Sequence, residues 1–467
     1  MAELNSVKVV EVCKVAAPPS SSACSATSPP EALPLTVFDL LWLRFAPVQR
    51  LFFYQISSNS FDTTTLVSKL KASLSIALQQ FLPLAGNLTW PQDSPKPILT
   101  YVHGDAVSLT IATAQSADHF DHISSNNLDV ESKEYHPLIP QLAFSQEKAA
   151  AMALQVTIFP NRGFSIGIAT HHAILDGKTS TMFMKSWAHI CKHVDDDPSS
   201  LMLPDQLKPF FVRRVIRDLA GLEAVYSDEF LSMDGRSNNR SLMPSKFRAP
   251  APDSIRGTFV FTRPKIEALR LLVKEKNQQH EYQSVQKYLS TFCITCAYTW
   301  VCLVKAEEIQ GGKAYMGFTV DCRSRLDPPI SSNYFGNCLV IRLVVAETKA
   351  LLGEDGLTVA VKAICEAVKS LDDGVLSGAE NWIKPLYSVG GDEKVLSVAG
   401  SPRFEVYETD FGWGRPNKVE VVSIEGTGAM SMSESKDGAG GVDVGLVLGK
   451  NSMQVFATLF AEGLANL

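Results

Sequence analysis

Apolar residues along the chain recur with two periods, and the places where one period gives way to the other mark its elements. Residues 7–15 alternate apolar and polar side chains as a strand would, and the Pro/Ser-rich stretch 17–34 that follows is expected to be an irregular connector. The run 35–54, with Phe38, Leu40, Leu41, Trp42, Leu43, Phe52, Phe53 and Tyr54, is apolar enough to enter a core. Leu66, Val67, Leu70, Leu74, Ala77, Leu78 and Phe81 then fall at helical spacing, which predicts an amphipathic helix over 63–81, started by Asp62 and Thr63 and stopped near Pro83. Two strands are predicted at 98–102 and 107–113 around a His103-Gly104-Asp105 turn, and 151–159 is predicted to pair with 164–170 across Pro160-Asn161-Arg162-Gly163. Met182, Phe183, Trp187 and Ile190 predict a helix beyond Gly177 that packs back on that sheet. Its end is expected at 195–200, and the polar stretch that follows to Pro252, helical in character over 211–231, reads as a crossover. The remainder predicts strands at 257–262, 315–320, 339–346, 419–425 and 453–460 and helices at 265–276, 290–304 and 357–371, with no repeat of fixed period.

Strands interleaved with helices make this an α/β chain. At 467 residues and 45% hydrophobic composition it is too long for one ordinary domain, so an N-terminal domain at 1–200, a crossover at 201–252 and a C-terminal domain at 253–467 are expected. The 43 basic against 49 acidic residues give a net charge of -6, which excludes a protein that holds nucleic acid through a basic surface. Any anion it binds must then meet a local positive site. Lys8 and Lys14 flank no continuous apolar run, and none elsewhere is long enough to span a bilayer, so neither secretion nor membrane association is expected. Nine scattered cysteines suit reduced thiols in the cytosol, Cys293-Ile294-Thr295-Cys296 reads as a buried apolar helix rather than a redox or zinc motif, and the sequons at Asn87 and Asn239 are expected to be inert.

Three short stretches carry candidate chemistry. His171-His172-Ala173-Ile174-Leu175-Asp176-Gly177 places an imidazole at the exit of an apolar strand with a carboxylate four residues on, a pattern suited to general base catalysis. Asp410-Phe411-Gly412-Trp413-Gly414 combines an acid, two aromatics and two glycines that allow a sharp bend. Asn333-Tyr334-Phe335-Gly336-Asn337-Cys338 follows a basic run containing Arg323 and reads alone as a loop leading into a strand. Gly163-Phe164-Ser165-Ile166-Gly167 matches the pattern of a hydrolase nucleophile, but the apolar run continues past Ser165, which puts the serine in mid-strand.

Taken together, in this order and spacing, the motifs resemble those of the plant BAHD acyl-CoA-dependent acyltransferases, and Tyr334 to Cys338 is similar to the clade that acylates phenolic and flavonoid glucosides, notably malonyltransferases. The likeness extends to Leu33-Pro34-Leu35-Thr36-Val37-Phe38-Asp39 and Phe81-Leu82-Pro83-Leu84-Ala85-Gly86. It implies two similarly built α/β domains, chloramphenicol acetyltransferase-like, with the active-site channel at their interface. It also implies no metal, no tightly bound cofactor, malonyl-CoA as co-substrate and a monomer. His172 would deprotonate a sugar hydroxyl, which attacks the thioester directly. Asp176 could orient the imidazole, as in a triad, but the resemblance favours a clamp to Arg323 across the domains. Asp410 and Trp413 would shape the channel and help hold CoA, with the Trp413 indole as a candidate oxyanion donor. Thr262, Arg263, Lys265, Ser290 and Thr291 would contact the donor, and Lys178, from proximity in sequence, is the candidate partner for a malonyl carboxylate. A hydroxycinnamoyl donor on the same glycosides, or a CoA-ester-binding relative without catalysis, are the competing readings.

Overall fold

The computed structural model describes residues 7–19, 29–56, 62–196, 201–245, 251–278, 287–309, 311–387 and 395–467, so parts of the expected connector at 17–34, of the helix end at 195–200 and of the crossover lie outside the described residues. Two six-stranded sheets and one small sheet organise the chain. The first sheet runs β1 (Val7–Val15), β6 (Val107–Ala114), β8 (Met152–Phe159), β9 (Gly163–Thr170), β3 (Val48–Gln55) and β14 (Lys418–Val421). The second runs β10 (Ser254–Phe261), β16 (Val442–Gly449), β15 (Ala429–Glu434), β13 (Val395–Gly400), β11 (Lys313–Asp321) and β12 (Leu339–Glu347). A four-stranded sheet of β2 (Ala32–Pro34), β5 (Ile98–Thr100), β4 (Asn87–Thr89) and β7 (Lys148–Ala150) lies apart from both.

At the centre of the first sheet, β8 and β9 form an antiparallel pair from Met152 opposite Thr170 to Phe159 opposite Gly163, as the sequence predicts. Every residue of both strands is buried, which is why they read as nearly continuous apolar runs rather than alternations. Ser165 sits inside β9 with its side chain fully buried, so the strand-turn-helix geometry of a hydrolase nucleophile is missing. Helices α1 (Thr63–Gln80) and α2 (Gly177–His193) pack on one face of this sheet, the former started by the Asp62 carboxylate accepting from Thr64 N at 2.9 Å. Trp187 is buried between them with its indole N–H donating to Ser73 Oγ at 3.0 Å, so the large ring is packed without leaving its polar atom unpaired.

The strands expected at 98–102 and 107–113 are present as β5 and β6, and the turn between them moves the chain from the small sheet to the first large one. Two expectations are corrected. Residues 453–460 belong to a helix, Lys450–Ala465, whose buried Met453, Phe456, Phe460 and Leu464 keep helical spacing, a period that outranks the short apolar run read as a strand. The stretch 419–425 is a strand only as far as Val421, and it completes the first sheet against β3 although it comes from the second half of the chain.

This exchanged strand carries a buried charge cluster between the sheets. Glu420 on β14 receives Arg256 Nη1 of β10 at 3.2 Å and Lys418 Nζ at 3.2 Å, while Arg256 also donates to the carbonyls of Val421 and Val422 at 3.0 Å. Buried ions are tolerated where each is paired and its remaining hydrogen-bonding capacity is met. Arg256→Ala should therefore leave Glu420 with Lys418 as its cation, open the carbonyls of Val421 and Val422 and cost about 3 kcal/mol, read as a lowered melting temperature. An unchanged melting temperature would show that this cluster does not hold the two sheets together.

Candidate active site

The histidine motif begins where β9 ends. Thr170 still pairs with both Val48 and Met152, and His171 N donates to Ala151 O at 3.0 Å, so the strand holds its register up to the residue before His172. The chain then turns, with Ile174 N donating to His171 O at 2.9 Å, and enters α2 at Gly177. His172 lies in this turn, its imidazole stacked on Trp42 at 4.2 Å between centroids and 9° between planes, with the edge of Phe45 at 5.3 Å. Burial pushes its pKa down to about 4 against the weaker opposing effects of its own backbone carbonyl, Asp176 and Asn337, so the ring is neutral at physiological pH. A neutral imidazole that keeps part of its surface accessible is a competent proton acceptor. His171 is buried and pushed down to about 3, accepts from Ala173 N at 3.2 Å, and packs against Phe144.

Asp176 faces away from that ring. One of its carboxylate oxygens caps α2, accepting from Thr179 N and Oγ1 at 2.8 Å each, and the other receives Arg323 Nη2 at 2.7 Å. Both residues are buried, at 1% and 2% exposure, so this is an ion pair without solvent. Arg323 donates further to the carbonyls of Tyr334 and Gly336 at 3.1 and 2.9 Å, and through Nη1 to Asp321 at 3.0 Å. Burial lowers the guanidinium pKa, but Asp176 and Asp321 outweigh it and raise the value above the ordinary one.

A second carboxylate, which sequence reasoning passed over, grips the same segment from the other side. Asp39, fully buried, accepts from Asn337 N at 2.8 Å and Asn337 Nδ2 at 3.1 Å with one oxygen, and from Thr36 N at 3.0 Å and Arg213 Nη1 at 3.2 Å with the other. Asn337 Nδ2 also donates to the His172 carbonyl at 2.9 Å. Trp42, Phe45, Asp39 and Arg213 were legible as core or polar residues, but no spacing rule joins them to position 172.

The remaining expected residues lie elsewhere. Asp410 accepts from Gly412 N and Gly414 N at 2.8 and 2.9 Å and from Lys192 Nζ at 2.7 Å, holding its own loop, whose two glycines have φ of +102° and +95°. Burial would raise its pKa, but the Lys192 bond and the Gly412 amide bring it below the ordinary carboxylate value. Trp413 packs edge-on to Phe164 at 5.7 Å, under Lys69 Nζ, and lines a surface cavity of about 320 Å³ with Gln55, Tyr407, Arg415 and Lys436. Phe164 begins β9 whereas His172 follows its end, and a strand rise of about 3.3 Å per residue puts them on the order of 20 Å apart. Trp413 and Asp410 thus lie toward the opposite end of β9 from His172.

Lys178 is paired with Asp321 at 3.1 Å, and both are partly exposed. Thr262 and Arg263 are exposed at the start of the helix Arg263–Gln278, where Lys265 Nζ is engaged by the carbonyl of Leu464 at 2.6 Å. Ser290 caps the helix Thr291–Ala306 by accepting from Cys293 N at 3.3 Å, and Thr291 Oγ1 accepts from Arg270 at 3.1 Å. Cys293 and Cys296 are buried within that helix. Among the described residues no group of three or more metal-ligating side chains converges.

Two layered α/β units with a histidine-bearing turn at their junction define the chloramphenicol acetyltransferase-like fold, and solved structures share it. Vinorine synthase superposes with a TM-score of 0.66 at 19% identity over 96% of both chains. TRI101 of F. sporotrichioides, complexed with coenzyme A and T-2, gives 0.63 at 14% identity over 91% of this chain and 97% of its own. The chain belongs to the BAHD acyltransferases, the transferase family whose model matches residues 22–462, and is thus an acyltransferase. Phenolic glucoside malonyltransferase 1 of Arabidopsis thaliana is 39% identical over 99% of this chain and 98% of its own. From the same plant, malonyl-CoA:anthocyanidin 5-O-glucoside-6''-O-malonyltransferase is 39% identical over 99% and 100%, and agmatine coumaroyltransferase 36% identical over 98% and 100%.

Two outcomes follow for stability. Asp176→Asn keeps a capping oxygen but leaves Arg323 only the half-exposed Asp321 as a carboxylate partner, so the melting temperature should fall together with the rate. A loss of rate at unchanged melting temperature would instead assign Asp176 to orienting His172. His171 and His172 bind a proton near the ordinary 6.5 when unfolded but only near 3 and 4 when folded, so the unfolded chain holds more protons in between. Stability should then decline as the pH is lowered through that window, and a melting temperature flat from pH 7 to 5 would contradict their burial as neutral rings.

Proposed function

We propose that this enzyme transfers malonyl from malonyl-CoA to a sugar hydroxyl of a phenolic or flavonoid glucoside, acting as a monomer in the cytosol, with His172 as general base. The observation that carries the substrate assignment is the full-length similarity to phenolic glucoside and anthocyanidin glucoside malonyltransferases. No helix among the described residues is long and apolar enough to cross a membrane, and the described cysteines are free thiols, a state suited to a reducing compartment.

His172 Nε2 takes the hydroxyl proton as the oxygen attacks the thioester carbonyl. The tetrahedral intermediate then collapses, the carbon–sulfur bond breaks, and the imidazolium returns its proton to the departing thiolate. Burial that holds the ring near 4 makes the imidazolium a strong acid, which favours that return and needs no acyl-enzyme. Lys178 at the head of α2 supplies a cation for the free malonyl carboxylate, in exchange for or beside Asp321. The exposed cation of Arg263, with Thr262 and the capped helix start at Ser290 and Thr291, suits the phosphates of CoA. Lys265, engaged by Leu464 O, is the weakest of these candidates.

The similarity to agmatine coumaroyltransferase supports a second reading, an aromatic acyl donor on the same scaffold. Malonyl-CoA, acetyl-CoA and coumaroyl-CoA offered in competition against a panel of phenolic and flavonoid glucosides, with products read by mass spectrometry, should give a malonylated glucoside as the main product. A coumaroylated product would overturn the donor assignment and leave the fold and His172 untouched. His172→Ala should abolish turnover while CoA-ester binding persists, and wild-type turnover in that variant would remove the general base role. The acid limb of kcat/KM should lie near pH 4, well below that of an ordinary histidine at 6.5.

A further inference from the structure

Two cysteines bracket the stretch that joins β11 to β12. The strands pair as far as Asp321 opposite Leu339, and the next pair in that register is Cys322 and Cys338, still held by Cys322 N donating to Cys338 O at 2.9 Å. Residues directly opposed in an antiparallel pair have Cα atoms about 4.5–5.5 Å apart, within the span of a disulfide. The side chains also turn toward each other, with the sulfurs 3.5 Å apart and Cys322 Sγ 3.3 Å from Cys338 O. Both are free thiols at 0% exposure. A single buried cysteine behaves as a small hydrophobe, so it is the meeting of two sulfurs that brings chemistry to this place.

What flanks the pair makes that chemistry consequential. Cys322 precedes Arg323, whose guanidinium pairs with Asp176, and Cys338 follows Asn337, whose amide holds the His172 carbonyl at 2.9 Å. Cys338 N itself lies 3.4 Å from Asp176 Oδ2. A disulfide brings its sulfurs to about 2 Å, so the two strand ends must close by about 1.5 Å from the contact seen in the thiol form. Arg323 and Asn337 are fastened by several hydrogen bonds each and cannot absorb that shift freely, so it reaches the clamp and the turn carrying His172.

We infer that Cys322 and Cys338 are an oxidation site, at which peroxide joins the two sulfurs in a disulfide that displaces the His172 turn and lowers turnover. In the first step one sulfur gives an electron pair to a peroxide oxygen, the oxygen–oxygen bond breaks, and a sulfenic acid and water result. In the second, the other sulfur attacks the sulfenyl sulfur, the sulfur–sulfur bond forms, and the oxygen leaves as water with the second thiol proton. Two thiols and one hydrogen peroxide thus give one disulfide and two waters. Contact with Cys322 and burial push the Cys338 thiol pKa up, which makes its thiolate scarce and the reaction slow. The pair therefore stays reduced in a reducing compartment and responds to sustained oxidant.

The test treats the purified full chain with excess hydrogen peroxide at neutral pH, alkylates the remaining thiols, and maps an unreduced digest by mass spectrometry. A peptide linking Cys322 to Cys338 should appear and vanish when the digest is reduced, its yield rising as kcat falls by about tenfold or more, since a misplacement near 1 Å can cost about a hundredfold. Cys322→Ser keeps a hydroxyl to donate to Cys338 O, and should show ordinary activity before treatment and little loss after it. The link is read by mass, so it is tested whichever donor and acceptor the enzyme uses. Recovery of both thiols alkylated after activity has gone would overturn the inference, as would equal loss in Cys322→Ser or a link between Cys293 and Cys365 in its place. If Cys322→Ser does not fold, Cys322→Ala and the wild-type map decide the matter by the same outcomes.

Discussion

The ion pair between Asp176 and Arg323 is the contact on which the junction of this molecule depends. Two charges at 1% and 2% exposure are costly to bury, and they are tolerable because both carboxylate oxygens of Asp176 and both terminal nitrogens of Arg323 are met by other groups. Asp176 spends one oxygen on the first turn of α2, where the unpaired amides and the positive end of the helix dipole favour a carboxylate. Arg323 spends its spare donors on the carbonyls of Tyr334 and Gly336. One pair thus ties the start of a helix in the first half of the chain to a loop in the second, next to the histidine but without touching its ring.

The loop is held just as firmly from the opposite side by Asp39. Its five residues from Tyr334 to Cys338 run between two buried carboxylates and two arginines, since Arg213 donates to the Tyr334 hydroxyl at 2.8 Å and to Phe335 O at 3.0 Å. Gly336 occupies the narrowest point with φ of +125°, and a Cβ there would collide with Arg213 Nη1. The burial of Tyr334, Phe335 and Cys338 in the core of the first sheet follows from the same fastening: this piece of the second half is packed into the first. Function and stability are therefore coupled at the junction, because the groups that place the imidazole also join the halves.

How much of this could be read from the sequence depends on the range of the interaction involved. The unit of strand, turn and helix around His172 was legible because its apolar periods are local, and so was the helix over 63–80. The pairing partners of 98–102 and 107–113 were not, because sheet membership is decided by residues far away, and the helix at 450–465 was missed where its apolar run was too short to separate the two periods. Trp42 stacked on His172 lies 130 positions earlier in the chain, and Asp39, Arg213 and Asn337 are brought together only by the fold. Side chains like these carry no local signature of the site they build.

The loop at Asp410 shows how a motif is placed by the helix it fastens. Helix α2 has 17 residues, or about 25 Å at 1.5 Å per residue, and each end is held by a carboxylate. Asp176 caps the N-terminus, while near the C-terminus Lys192 reaches Asp410, whose other oxygen closes its own glycine-rich turn. Phe411 of that turn lies edge-on to Trp187 at 4.8 Å and to Tyr54 at 5.7 Å, anchoring the loop to the helix and to β3. A loop that binds the far end of the helix cannot also line the reacting centre at its start. Its contacts instead seat α2 against the sheet, the element whose first residues follow directly from His172.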